Sequence, residues 1–333
     1  MTDHTDIHDS AVQPPQGAVM RVFVNGASGH TGSHVVSELV AAGHEVTGLA
    51  RSDTAAAAAV SALGAKVRRG DLNDLGGLRE AAADSDGVIH VAFDRGLMQS
   101  GQIAAVVAAD LAAVHAFAEA LAGTGKPLVA ASSIGAPGNL GRPATEEDPA
   151  FPSREEHKGT LVSRNDVEIA VVGFAERAVR SSVVRLPPIS HSTRDRTGFL
   201  AQLIAIAKER GFAGYPGDGA NRWTAVHTLD VASLFRLALE NAPAGTRWHA
   251  IADEGIAFRE IAQSIGDHLG LPADSVPADR LQAHFGFLAM PATLDVPASS
   301  LITRRTLGWE PVHPGLLADL DNGHYFATPP ATN

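Results

Sequence analysis

A doubly wound α/β fold, a parallel sheet covered by helices on both faces, is the architecture this chain predicts. Three observations carry the prediction. Short Val-rich apolar runs alternate with helix-like stretches through the first half of the chain. A turn spaced Gly26-x-x-Gly29-x-x-Gly32 joins the first run to the first helix. The alternation then stops near residue 186, where Pro187-Pro188 opens a region with few sheet-building segments. Such alternation implies right-handed βαβ crossovers, and the second region reads as a smaller, mostly helical cap over the sheet's carboxyl edge.

Residues 1–19 hold Asp3, Asp6, Asp9 and Pro14-Pro15, no Lys or Arg, and no apolar period. They read as a disordered tail, and the fold starts at Met20. Strands are expected at 21–24, 45–49, 65–68, 87–93, 127–131 and 182–185. Each is short, apolar and bounded by Gly, Asp or Ser, as a buried parallel strand requires. Between them, 33–42 repeats apolar residues at Val35, Val36, Leu39 and Val40, the spacing of one helix face. The alanine run at 55–59 makes 55–63 helical by propensity alone. Helices are also expected at 75–83, 103–121 and 161–179, and in the cap at 199–208, 231–239 and 258–269, with a strand at 248–251. The chain thus divides into residues 20–186 and a cap region, 187–333, some of whose segments return to the core.

With no cysteine among 333 residues, disulfides, thiolate zinc sites, iron–sulfur clusters and a cysteine nucleophile are excluded. No metal site is expected, since fifteen histidines include no His-Glu-x-x-His. The formal charge of −11 provides no general basic field for nucleic acid or anionic lipid, so a small molecule is the expected partner. No run of about 18 uncharged apolar residues and no basic segment followed by an apolar stretch is found, so neither a membrane span nor a secretory signal is expected. A cytoplasmic location is the expectation.

The glycine turn carries the chemistry. Phosphate oxygens need a backbone they can approach closely and N–H groups at a helix start. Gly26, Ser28, Gly29, His30, Thr31 and Gly32 supply that setting, so a dinucleotide is expected. Its identity is read at the second strand's tip, Leu49-Ala50-Arg51-Ser52. There Arg51 and Ser52 suit a ribose 2′-phosphate by charge-assisted bonds, with Asp53 the nearest carboxylate. NADPH is therefore preferred and NAD is the second choice. Asp71, after the third strand, suits either the adenine amino group or a helix cap.

From Met20 to about Asp321 the residues resemble the short-chain dehydrogenase/reductase superfamily, in its extended or atypical branch related to nucleotide-sugar epimerases. The resemblance rests on Gly26–Gly32, Gly70-Asp71-Leu72, Val88-Ile89-His90-Val91-Ala92, Ala131-Ser132-Ser133, Val184-Arg185-Leu186-Pro187, Gly217-Asp218-Gly219 and Val226-His227-Thr228-Leu229-Asp230. It implies a Rossmann-fold cofactor domain and adds Leu72, Val91, Ala92, Phe93, Ser132 and Pro187 to the cofactor's surroundings. It also implies a proton-donating Tyr-x-x-x-Lys pair, and this chain has none. Aligning Ser163-Arg164-Asn165-Asp166-Val167-Glu168 places Arg164 at the lysine position and Thr160 at the tyrosine position, while Ser133 matches the active-site hydroxyl. Threonine is a far weaker acid than tyrosine, whereas arginine stays charged and can hold the ribose.

Substitutes for the missing acid are His191, after the sixth strand, and Tyr215, in the cap; His157 and Lys158 beside Thr160 are further candidates, and Asp94 is a pocket-ordering one. Each has a plain structural alternative, and the acidic run Glu146-Glu147-Asp148 reads as a solvated loop. The apolar helices at 103–121 and 161–179 fit a homodimer built as a four-helix bundle or, equally, burial within one monomer. The reading that follows is an NADPH-dependent oxidoreductase that reduces a C=O or C=N bond in a small apolar molecule. A non-catalytic NAD(P)-sensing regulator and a nucleotide-sugar epimerase or dehydratase are the alternatives.

Overall fold

The computed structural model describes residues 18–51 and 54–327. Most of the expected tail, to residue 17, lies outside the described residues, as do Ser52 and Asp53. In chain order the first half contains β1 (Arg21–Asn25), α1 (His30–Ala41), β2 (Glu45–Ala50), α2 (Thr54–Ala62), β3 (Lys66–Arg69), α3 (Leu75–Ala83) and β4 (Gly87–His90). It continues with α4 (Arg95–Gln99), α5 (Ile103–Leu121), β5 (Pro127–Ser133), α6 (Asn165–Gly173) and β6 (Arg180–Leu186). The remainder holds β7 (Ile189–His191), α7 (Phe199–Arg210), β8 (Ala213–Pro216), β9 (Arg222–His227), α8 (Thr228–Asn241), β10 (Thr246–His249), β11 (Asp253–Ala257), α9 (Phe258–Leu269) and β12 (Ala273–Val276). Four short helices finish it: α10 (Leu281–Phe285), α11 (Ala289–Ala292), α12 (Leu301–Leu307) and α13 (Leu316–Asp321).

The main sheet has seven strands in the order β10-β6-β5-β4-β1-β2-β3, all parallel. This is the predicted Rossmann-like doubly wound sheet. Strand alternation sorts side chains between its faces. Val22, Val24, Ile89, Val129 and Val184 join one core with α1, α2 and α8, while Phe23, Val88, Leu128, Ala130 and Val183 join another with α3, α5 and α6. Helix α5 is long and apolar enough to cross a membrane by composition, with mean hydropathy 1.6. In the fold it is a core helix, with Val107, Val114 and Phe117 fully or almost fully buried in the second core.

Two expectations are revised. The helix expected at 161–179 is broken into a 3-10 turn, Leu161–Arg164, then α6, then a second 3-10 turn, Phe174–Arg177. The Asn165 amide donates to the Ala136 and Phe151 carbonyls, which ties the first break to the loop after β5. The cap holds more strand than expected. Strand β9 pairs with β7 and β11, and β8 pairs with β12, around a separate core of Leu200, Leu203, Trp223, Phe258, Ile261 and Phe285. Strand β10 returns to the main sheet beside β6, and Trp309 buries its indole against α8 by donating to the Asp230 carbonyl at 2.9 Å.

Candidate active site

The turn after β1 closes on itself. Gly29 N–H donates to the Gly26 carbonyl at 3.0 Å, and Gly26 sits at φ +92°, a conformation that favours glycine. A Cβ at Gly26 would lie 2.5 Å from the Ala92 nitrogen, and one at Gly32 would lie 2.0 Å from the Gly26 oxygen. Neither position tolerates a side chain without moving backbone. Gly29 caps α1 with no side-chain bond, and no acidic residue lies in the first turn. No carboxylate of that turn competes for the N–H groups of Thr31 and Gly32 at the helix start. The cradle suits a dinucleotide's pyrophosphate. Ser28 is exposed and Thr31 half-buried, and His30 Nε2 meets Thr228 Oγ1 at 2.9 Å, tying the loop to α8.

Around the cradle stand the carboxyl ends of the strands. Arg51 is exposed at the end of β2. Asp71 is exposed and accepts from Asn73 N–H at 2.6 Å, while Asp74, not Asp71, caps the following helix through Gly77 N–H. The cap alternative for Asp71 is thereby corrected. Leu72 packs against the α3 side of the core. Val91, Ala92 and Phe93 follow β4 half-buried, and Pro187 is buried after β6. Asp94 caps α4 by accepting from Leu97 N–H at 3.0 Å.

Below Ser132 lies a buried ionic network that the sequence does not announce. Glu168 and Arg185 form a bidentate pair with no exposed side-chain surface on either partner. The Ser132 hydroxyl donates to the same carboxylate at 2.5 Å, and Arg247 adds a second cation at 3.2 Å. Burial and the adjacent Arg185 charge hold His249 down at about 3, so its ring is neutral near pH 7. Ser133 is different: it is exposed and accepts from Gly135 N–H at 3.2 Å, which leaves its proton to donate elsewhere.

A second network runs from the glycine turn to Arg164. The Asn25 amide meets His90 Nδ1 at 3.0 Å, His90 Nε2 meets Asp110 Oδ1 at 2.5 Å, and Asp110 Oδ2 accepts from Arg164 Nη2 at 3.3 Å. The Arg164 guanidinium lies over the Phe93 ring at 4.5 Å. Burial alone would raise the Asp110 carboxyl, yet the His90 bond and the Arg164 charge hold it below its ordinary value. The signal for Asp110 is present in the sequence as an acid inside the otherwise apolar stretch Val106-Val107-Ala108-Ala109-Asp110-Leu111-Ala112-Ala113.

The other candidates are placed as follows. The Thr160 hydroxyl donates to the His157 carbonyl at 2.8 Å, so its proton is already engaged. Lys158 is exposed and paired with Glu155, and His157 Nδ1 accepts from Arg154 N–H. His191 is fully buried, with Nδ1 on Asp319 at 2.7 Å and no partner for Nε2 among the described residues. Tyr215 belongs to β8 and stands in register with Ser275 in the cap; no hydrogen bond among the described residues joins it to Ser133, Thr160 or Arg164. Glu146, expected in a solvated loop, is instead buried, accepting from Thr303 N–H and Oγ1 at 2.7 and 2.6 Å. It pins α12 against the loop before α6.

Residues 22–250 match the model of the NAD dependent epimerase/dehydratase family. The chain is 42% identical over 306 residues to an uncharacterized protein of Saccharomyces cerevisiae, covering 90% of this chain and 98% of that one. It is 40% identical over 311 residues to an uncharacterized protein of Schizosaccharomyces pombe, covering 92% and 100%. A 4-hydroxy-2-methyl-3-oxo-4-farnesyl-3,4-dihydroquinoline-1-oxide ketoreductase of Stigmatella aurantiaca is 28% identical over 285 residues, 80% of each chain. Among solved structures, the dTDP-glucose 4,6-dehydratase DesIV of Streptomyces venezuelae with NAD bound superposes with TM-score 0.72 at 21% identity, covering 91% and 96% of the two chains. The UDP-glucose 4-epimerase of Thermus thermophilus in complex with NAD gives 0.70 at 23%, covering 92% and 99%. With the glycine cradle, the parallel sheet and the family match in agreement, the chain belongs to the NAD dependent epimerase/dehydratase family.

Proposed function

We propose that this chain is an NADPH-preferring reductase of C=O or C=N bonds in a small, apolar, uncharged or cationic molecule. The observation that carries the reading is the hydrogen-bonded line from the closed glycine cradle through Asn25, His90 and Asp110 to Arg164. It ties a dinucleotide cradle to a fixed cation where the family resemblance puts the ribose-holding lysine. The ketoreductase activity named for the Stigmatella relative supports the reaction class. Arg51 at the tip of β2 supports NADPH over NADH.

The nicotinamide, when bound, supplies the hydride. The Ser133 hydroxyl is the group free to donate to a substrate oxygen, and Arg164 orients the ribose. Thr160, with its proton on His157, offers no strong acid. A carbonyl would therefore be reduced by hydride addition with the alkoxide taking its proton from water through Ser133. An iminium ion needs no proton, because hydride neutralises its existing charge. The neutral Asp110–Arg164 pairing also leaves little uncompensated charge for an anionic substrate. The same reading includes a homodimer through α5 and α6, where Ala104, Ala105, Ala108 and Ile169 are exposed, and a cytoplasmic location.

Loss of NADPH absorbance against a panel of ketones, aldehydes and cyclic iminium salts tests the reading. Turnover of at least one, falling about tenfold or more in Ser133→Ala, is expected. An NADPH-binding protein inert to every compound would favour the second reading, a dinucleotide-sensing regulator, which the engaged Thr160 hydroxyl supports.

A further inference from the structure

We propose that Asp110, backed by His90 and Asn25, is a positioning residue that fixes Arg164 against Phe93 for the nicotinamide half of the cofactor. The inference deepens the reductase reading and rests on it.

The direction of each hydrogen bond follows from its partners. The Asn25 amide can only donate through Nδ2, so His90 Nδ1 is the acceptor and the imidazole proton sits on Nε2. Nε2 then donates to Asp110 Oδ1. A neutral His90 and an ionised Asp110 result, with both ends of the relay satisfied. The remaining oxygen, Oδ2, takes Arg164 Nη2. Asp110 and His90 have side-chain exposures of 4% and 2%, so solvent does not compete for these bonds, and the low-dielectric setting strengthens them.

Arg164 is thus held at two places, by the carboxylate at one nitrogen and by the Phe93 face beneath the guanidinium. Its Nε–H is buried and has no partner among the described residues. An unmet buried donor costs free energy unless something accepts from it, and this one belongs to a side chain that still has 21% of its surface open. Nε itself is closed to solvent, so the open surface belongs to the rest of the side chain, which is anchored on its protein side and accessible to a ligand on the other. A ribose hydroxyl is an acceptor of the required kind. Asn25 immediately precedes Gly26, so the same relay sets the relation between Arg164 and the glycine turn. The device explains why an acid is tolerated in the middle of the apolar helix α5.

The test compares two ligands on each protein by fluorescence or calorimetric titration: NADPH, and 2′,5′-ADP, which lacks the nicotinamide half. Asp110→Asn should weaken NADPH about tenfold, the scale of one hydrogen bond to a charged group, and leave 2′,5′-ADP within about twofold. Phe93→Leu, at a half-buried loop position, should weaken NADPH about threefold with 2′,5′-ADP again unchanged. It serves if Asp110→Asn does not fold. Equal loss of both ligands in the folded variants would assign Asp110 a merely structural role, and no loss of either would also overturn the proposal. Failure of the unaltered protein to bind NADPH would instead overturn the reductase reading itself.

Discussion

Replacing Glu168 by glutamine removes the negative charge from a fully buried pair while keeping its shape. In the folded protein the Glu168 carboxylate accepts from Arg185 at 2.5 and 3.1 Å, from Arg247 at 3.2 Å and from Ser132 at 2.5 Å. Glutamine keeps one acceptor oxygen, so Arg185, with no exposed side-chain surface, retains its charge without this counter-ion. Two unit charges about 4 Å apart at an effective dielectric of about 20 attract by about 4 kcal/mol. Removing one member of a buried pair costs about 3–5 kcal/mol in other proteins. The two figures agree, and together they are a large part of a typical total stability of about 5–15 kcal/mol. With a urea slope of about 3 kcal/mol per molar, the midpoint should fall by about 1–1.7 M without a change of slope. A companion variant, Glu168→Leu with Arg185→Met, removes both charges and should cost less than Glu168→Gln alone. Equilibrium urea unfolding followed by circular dichroism reads both. A single variant within about 1 kcal/mol of the parent would refute the reasoning, because it would mean that Arg185 does not depend on this carboxylate.

Three further outcomes are expected. Burial is the chief cause that holds His34 and His227 down at about 4 and His249 at about 3. An unfolded histidine titrates near about 6.5, so between there and pH 4 the unfolded chain binds protons the folded one refuses, and stability falls as pH falls through that window; equal urea midpoints at about pH 7.5 and pH 5 would contradict this. Gly32→Ala drives a methyl to within 2.0 Å of the Gly26 oxygen and should abolish NADPH binding, as titration would show, whereas undiminished binding would mean the turn is not the cradle. Ala178 is held at φ 54°, so Ala178→Gly should raise stability by about 0.5–1 kcal/mol despite glycine's larger unfolded-state entropy, and a lower melting temperature would argue against strain there.

The main sheet is legible because its signals are local. Val22, Val24 and Phe23 alternate along one strand, and Gly26, Gly29 and Gly32 crowd the turn that follows, so neighbouring residues alone identify them. Helices α3, α5 and α9 begin and end where their apolar periods and flanking glycines or acids place them. The cap strands are not legible for the opposite reason. Ala213–Pro216 and Ile189–His191 are four and three residues long, too short to show a period, and their partners lie far along the chain. The networks around Glu168 and Asp110 escape for a related cause. A carboxylate's sequence neighbours do not tell whether it meets water or a buried arginine, and Glu146, read as solvated, carries the same lesson. Alignment with a family pattern finds Thr160 and Arg164, but the direction of the Thr160 hydroxyl is a property of the folded loop.

The most direct measurement of the central claim is a fluorescence titration of the purified protein with NADPH and NADH, repeated on Arg51→Ala and Gly29→Trp. The cradle leaves only 3.2 Å between a Cβ at Gly29 and the Gly26 oxygen, so an indole there would displace the phosphates. The account predicts that NADPH binds more tightly than NADH, that Arg51→Ala erases the difference, and that Gly29→Trp binds neither. Binding of neither cofactor by the unaltered protein, or undiminished binding by Gly29→Trp, would contradict it.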